Sequence, residues 1–401
     1  MKMKMDLSFT LPDELIVEIL LRLPVRSLLR FKCVCKSWLT FISDPQFAKS
    51  QFDLATPTHR LFLEPAYPPL VVPIDTEASL HDDSAIVHLT VPHTLFPSLH
   101  SYYLQIYGSC RGFILLRYVN YDNIFLWNPS TGAQKLLPYP HQLVPRYREE
   151  FLYGFGYDSS TDDYLIVIWV WHTDWKSDIH FFSFKTNSWN KTEGINFPHG
   201  DYLEEIFRFG LLLNGALHWL AYPNGSVIHN TIVAFDLTER SLLEIPLPHN
   251  LTMAMMAECY NLVVIGGCLS LCNELSMETG AMVNIWTMKE YKVQSSWTTT
   301  RVSYTCDIGD NFSPLWFTED GTWDLFSPLW FTKGGDIVVG SKFSGVLMKL
   351  NDKGELLEYH THSPFLEVVE DRRHSPFLIT AMYRESLLSL PDLGKAKDDH
   401  H

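Results

Sequence analysis

Two periodicities divide the chain. Up to about residue 42 apolar residues recur with helical spacing; from about residue 60 short β-rich runs take over, separated by Gly, Asn and Pro. Thr10 precedes Leu11-Pro12-Asp13-Glu14, a helix start with Pro in the first turn and two acids where the helix dipole favours them. The helix is predicted to run to about Leu23, because Pro24 turns its predecessor away from helical geometry. A second helix is predicted over about 25–34, with Val25, Leu28 and Leu29 inward and Arg26 and Arg30 outward. A third is predicted over about 35–42, where Cys35, Trp38, Leu39 and Ile42 are spaced i, i+3, i+4, i+7.

The first helix has a narrow polar stripe, Glu14, Glu18 and Arg22, and is otherwise apolar: Leu15, Ile16, Val17, Ile19, Leu20, Leu21 and Leu23. A helix apolar on most of its circumference must be covered on more than one side. Three short helices are too small a unit to do this alone. The cover is either a second protein or the remainder of the same chain, and spacing does not separate the two.

The β region repeats a grammar. A turn with an apolar strand (108–117, 154–172, 214–222, 266–272, 334–341) is followed each time by strand, turn and strand (124–137, 179–192, 232–246, 283–298, 346–360). With a degenerate unit near 60–100 this makes about six units, 45–65 residues apart. Multi-strand repeats of that period predict a β-propeller, whose blades bury their faces only against one another. Aromatic residues fall at matching places, Trp127, Phe184, Phe235 and Trp286, with Trp189 and Trp297 a little later, and blade-to-blade packing is their expected role. Residues 128–132 and 158–163 read as turn chemistry. The second run lacks the mid-loop Gly and terminal Glu of a calcium loop.

Aromatic residues make up 14% of the 401, which agrees with a mostly β chain. The formal charge of −15 disfavours a nucleic-acid or anionic-membrane partner. It is uneven: residues 1–50 hold eight Lys/Arg against five Asp/Glu, and the rest 23 against 41. The seven cysteines contain no CxxC pair, so reduced thiols are expected. The first ten residues lack the apolar core of a secretory signal, and no apolar run approaches the ~20 residues of a membrane helix. Cytoplasm or nucleus is the expected compartment.

Leu11-Pro12-Asp13-Glu14-Leu15, Arg22-Leu23-Pro24-Val25, Ser27-Leu28-Leu29-Arg30-Phe31, Cys33-Val34-Cys35-Lys36-Ser37-Trp38 and Ser43-Asp44-Pro45-Gln46-Phe47 together resemble a plant-type F-box over about 40 contiguous residues. The resemblance implies docking onto a Skp-family adaptor and through it a cullin. By motif position the docking face comprises Leu11, Pro12, Ile16, Ile19, Leu20, Leu23, Pro24, Leu28, Val34 and Trp38. Some of these belong to the F-box's own core, and the sequence does not say which. The second region resembles the kelch-type F-box-associated domain shared with S-locus F-box proteins. It does so at 125–132 (FLWNPSTG), 153–164 (YGFGYDSSTDDY), 214–220 (NGALHWL), 244–248 (EIPLP), 266–271 (GGCLSL) and 286–291 (WTMKEY). The expected organisation is a tail (1–9), an F-box (10–55), a propeller (56–390) and a polar tail (391–401). The implied role is the substrate-recognition subunit of a ubiquitin ligase, non-catalytic and without cofactor, that captures a target protein.

Two small duplications depart from the family pattern: FSPLWFT at 312–318 recurs at 326–332, and SPFL at 363–366 recurs at 375–378. Only one FSPLWFT fits the blade, and the second is favoured because Lys333-Gly334-Gly335-Asp336 supplies its hairpin turn. No GxSxG, HExxH or phosphate loop occurs. Glu358, His360 and His362 share a strand face, but nothing points to a further metal ligand. For the substrate side, Trp169, Trp171, His172 and Trp175 are candidates for a glycan or protein ligand, with core packing the favoured reading of the strand tryptophans. A glycan-binding adaptor and a ligase-independent scaffold are the alternatives.

Overall fold

The computed structural model describes residues 11–54, 59–63, 70–75, 77, 79, 89–90, 104–118, 123–138, 150–171, 176–194, 209–221, 231–249, 251, 260–277, 280–304, 326–332, 334–341, 346–361 and 380–393. Four helices come first: α1 (Asp13–Leu21), α2 (Val25–Phe31), α3 (Lys36–Ser43) and α4 (Pro45–Leu54). Prolines 12 and 24 sit at the N-caps of α1 and α2, and Cys35 caps α3, its Sγ accepting the Trp38 N–H at 3.5 Å. The fourth helix adds to the three expected. Its start was legible: Asp44 Oδ1 accepts from the N–H of Gln46 (2.8 Å) and Phe47 (3.0 Å), with Pro45 between them.

The rest of the described chain forms six four-stranded antiparallel sheets. Four are consecutive meanders: β4–β7 (Leu104–Cys110, Phe113–Tyr118, Asn123–Trp127, Gln134–Leu137), β8–β11 (Glu150–Asp158, Asp163–Trp171, Ser177–Ser183, Ser188–Glu193), β12–β15 (Leu211–Leu213, Ala216–Ala221, Thr231–Asp236, Ser241–Ile245) and β16–β19 (Tyr260–Ile265, Cys268–Met277, Gly280–Met288, Trp297–Tyr304). A fifth is β20–β23 (Phe326–Phe331, Ile337–Ser341, Val346–Leu350, Leu356–Thr361). In the sixth, β1 (His59–Leu63), β2 (Leu70–Asp75) and β3 (Leu89–Thr90) are joined by β24 (Thr380–Arg384), which pairs with β1 from Leu63↔Thr380 to His59↔Arg384. The last strand thus closes the ring onto the first. First strands of successive sheets neighbour one another, β24 beside β4, then β4, β8, β12, β16 and β20 in turn. This is a β-propeller.

Aromatic residues cement the blades. Trp127, Phe184, Phe235 and Trp286 are all buried. The Trp189 indole donates to the Pro138 carbonyl at 3.1 Å, and the Trp297 indole donates to that of Pro246 at 2.9 Å. In both cases an outer strand reaches back to the Pro that ends the preceding blade. The two glycines of YGFGYD have a packing cause: a Cβ on Gly154 or Gly156 would meet Leu217 at 2.7 Å or Leu237 at 2.5 Å from the next blade. Asp158 is a staple rather than a metal ligand. It accepts from Ser160 and Thr161 locally and, across the blade boundary, from Thr238 (3.1 Å) and Arg240 (3.1 Å). Burial favours the protonated acid, but these bonds outweigh it and hold the carboxyl far below its ordinary range.

The second FSPLWFT copy forms β20, and Thr332 closes its turn by accepting the Asp336 N–H at 3.1 Å. The first copy, both SPFL copies, His362 and the His360 side chain lie outside the described residues. Among the described residues no group of three or more His, Cys, Asp or Glu is placed to hold a metal ion.

After β24 the chain continues as a packed strap, residues 385–393. Asn128 Nδ2 donates to the carbonyls of Ser386 (3.1 Å) and Leu388 (3.0 Å), and Lys135 Nζ donates to that of Pro391 (2.5 Å). Leu388, Leu390 and Leu393 rest on the core between the second and third blades. Leu393 falls in the stretch expected to be polar tail and is packed. Gly112, at φ +83°, lies under this strap; a Cβ there would meet the Ser386 Cβ at 2.2 Å.

Candidate functional site

The helices meet the propeller at one edge. Phe52 of α4 lies between two guanidinium groups, Arg384 at 4.1 Å and Arg111 at 5.0 Å from its ring centre, and Arg384 also donates to the Phe52 carbonyl. Arg111 also lies over the Tyr157 ring, 4.3 Å from its centre. Arg26 pairs with Glu385 at 3.3 Å. Leu387 of the strap enters the helical core beside Leu20, Val25, Leu28, Ile42, Phe47 and Ala48.

Part of the apolar surface of the helices is therefore covered from within the chain, and part is not. Leu11 (55% exposed), Leu15 (48%), Ile19 (52%), Val34 (60%) and Leu39 (47%) face outward. Among the described residues eight large apolar side chains are exposed to 47% or more, and these five fall within 29 residues of one another in sequence. Leu15 and Ile19, four residues apart, share one side of α1, and Leu11 lies just before its Pro12 N-cap. Beside them run Glu14 and Glu18, with Glu18 paired to Arg22 at 3.4 Å, while Arg30 and Lys36 are exposed cations. An apolar stripe rimmed by charge is the composition of a protein-docking surface.

Of the ten residues assigned to a docking face, Leu11, Pro12, Ile19, Pro24 and Val34 are exposed, and Ile16, Leu23 and Trp38 are half-buried at the margin of the helical core. Trp38 packs on Phe31 with ring centres 5.3 Å apart. Leu20 and Leu28 do not belong on that face. They are 1% and 0% exposed, because the α1 and α2 sides that carry them are closed by α4 and by Leu387. Leu15 and Leu39 are outward instead, as is Cys35. Their signal was the interval of four with Ile19 and with Cys35. Leu39 and Cys35 share the helical spacing of Ile42, yet α3 buries only Ile42 fully.

On the propeller, Trp169 is fully buried and packs edge-on against Trp219, ring centres 6.0 Å apart, so it cannot serve as a stacking platform for a ligand. The strand's inner face is filled by the neighbouring blade. The Trp171 side chain, His172 and Trp175 lie outside the described residues.

Residues 9–50 match the F-box domain and residues 74–322 the F-box associated beta propeller domain. Among curated relatives, the F-box/kelch-repeat protein At3g23880 of Arabidopsis thaliana is 31% identical over 320 residues, 77% of this chain and 83% of its own. The F-box protein CPR1 of the same plant is 30% identical over 312 residues, 72% of each chain.

Proposed function

Because the chain belongs to the F-box proteins that carry an F-box-associated β-propeller, we propose that it is the substrate-recognition subunit of a Skp–cullin–F-box ubiquitin ligase. Its helices dock a Skp-family adaptor, which links it to a cullin, and its propeller holds the protein to be ubiquitinated. The chain itself is non-catalytic in this reading and works in the cytoplasm, the nucleus or both. The observation that carries the proposal is the concentration of exposed apolar residues on the helices: Leu11, Leu15, Ile19, Val34 and Leu39 form an uncovered surface on an otherwise packed unit. A standard interface of about 800 Å² per partner would cover it. The net positive balance of residues 1–50 suits an acidic adaptor, and the acidic remainder suits a target that is not itself strongly acidic.

The test is co-purification of the full chain with a plant Skp-family adaptor. The wild type is expected to retain the adaptor, and the pair Leu15→Asp/Ile19→Asp to lose it with an unchanged melting temperature. Retention by that variant would refute this docking face. Assembly with cullin, followed by ubiquitin transfer to a captured protein, then separates a ligase subunit from a scaffold.

A further inference from the structure

The residues that follow β24 are built into two units at once. The blade of β4–β7 holds them through Asn128, which donates to the Ser386 and Leu388 carbonyls, through Ser130 Oγ, which accepts the Ser386 N–H at 3.1 Å, and through Lys135, which donates to the Pro391 carbonyl. The helices hold them as well. Leu387, 6% exposed, is part of the helical core, and the buried Glu385 pairs with Arg26 of α2 at 3.3 Å. Just before them Arg384 grips the end of α4 through the Phe52 ring and carbonyl, and Arg111 adds a second cation to the same ring. Arg111 also lies over Tyr157, whose hydroxyl donates to Asp162 at 2.5 Å, so this anchor reaches the next blade. Contacts between separately packed units usually leave them free to move against one another. Here the attachments fall on α2, on α4 and inside the helical core, and turning the helices as a body against the propeller would break all of them together.

We propose that Arg384, Glu385 and Leu387, with Arg26 and Phe52 opposite them, form a positioning clamp that fixes the docking helices relative to the propeller, an inference that rests on the docking reading above. Leu15 and Ile19 stay exposed while Leu20 and Leu387 share the core, so clamp and adaptor use different surfaces and are engaged together. In the assembled ligase the ubiquitin donor arrives from the adaptor's side and the accepting lysine from the propeller's side. A fixed orientation raises the effective concentration of one for the other, whereas a swinging propeller spreads the same lysines over a larger volume. The clamp thereby selects which lysines are modified without touching adaptor, target or ubiquitin.

The experiment compares the full-length wild type with Arg26→Glu, Arg26→Glu/Phe52→Ala and the charge swap Arg26→Glu/Glu385→Arg. Neither Arg26 nor Phe52 belongs to the docking face, so adaptor affinity is expected to be the same in each. Small-angle X-ray scattering of the free chain reads the orientation. Mass spectrometry of the chain's own lysines, ubiquitinated in the cullin-assembled ligase, reads the consequence without a known target. The Arg26→Glu/Phe52→Ala chain should have a larger radius of gyration and modify the wild type's preferred lysines about tenfold more slowly, with new sites appearing. Arg26→Glu should show the same changes in weaker form, and the charge swap should reverse them. A wild-type radius or lysine pattern in Arg26→Glu/Phe52→Ala, loss of its adaptor affinity, or no recovery in the charge swap would overturn the clamp. Failure of the wild type to bind the adaptor would overturn the docking reading and the positioning role with it, while scattering from the free chain would still decide whether the clamp holds.

Discussion

His218 on β13 lies with its Nε2 2.7 Å from the Tyr291 hydroxyl of the next blade, while its Nδ1 lies 3.0 Å from the Leu211 carbonyl. A carbonyl only accepts, so Nδ1 carries the proton, and Nε2 accepts from Tyr291. The ring is fully buried, and this tautomer satisfies both nitrogens.

That geometry makes the fourth and fifth blades sensitive to acid. Burial first, and Lys292 to a lesser extent, lower the His218 pKa from 6.5 to about 4 against the two backbone hydrogen bonds. The unfolded chain therefore takes up a proton at higher pH than the folded one. Stability from the neutral ring is complete above pH 6.5 and declines as pH falls towards about 4. The loss amounts to roughly 3 kcal/mol at most, at about 1.4 kcal/mol per pH unit. Urea denaturation at stepped pH should show this slope, and His218→Gln should flatten it while lowering stability at pH 7. An unchanged slope in the variant would refute the assignment.

Adjacent residues on α1 should behave oppositely. Leu20→Ala opens a cavity in the helical core and should cost about 2–5 kcal/mol, as should Leu28→Ala. Ile19→Asp, one position away, should leave thermal stability within about 0.5 kcal/mol, as for surface substitutions, and act only on adaptor binding. Thermal melts of the three variants decide the matter.

Asn128 should be disproportionately important for a turn residue. It is fully buried; its Oδ1 accepts from Ser130 (2.9 Å) and Thr131 (3.3 Å), and its Nδ2 holds the strap through Ser386 and Leu388. Asn128→Ala leaves these buried groups unsatisfied, at a cost of about 2–4 kcal/mol. Limited proteolysis should then cut within 385–393 before it cuts the blades. Equal protection of the strap in both proteins would rule this out.

The Trp189 and Trp297 indoles should be equivalent and independent. Each Trp→Phe keeps an aromatic ring but loses the indole N–H bond to a Pro carbonyl, worth about 1 kcal/mol, together with the packing of the lost pyrrole ring. The two sit on different blade boundaries and share no partner, so the double variant should equal the sum of the singles within about 0.5 kcal/mol. A marked departure from additivity would mean that the boundaries communicate around the ring.

Much of the architecture was visible in the chain because its causes are local. Proline at 12 and 24, and Asp44 before Pro45, mark helix starts through their own backbone restrictions. Asn128, Asp158 and Asp236 mark turns because a short polar side chain reaches the N–H groups two or three residues on. The second, third and fourth strands of most blades were legible for the same reason. The first strands were less so: β12 is only three residues long, and Gly154 and Gly156 on β8 make sense only once Leu217 and Leu237 press against them.

What the sequence by itself determined is the division into an apolar helical unit and a repeating β unit, since periodicity and turn chemistry are properties of neighbouring residues. Only the tertiary structure decided which apolar residues stay uncovered. Ile19 and Leu20 are equally apolar neighbours on one helix, and what separates them is the packing of the other helices and of Leu387, brought back by the closure of β24 onto β1, around Leu20 alone. Contacts between residues hundreds of positions apart depend on how the whole ring closes, and no local pattern records that.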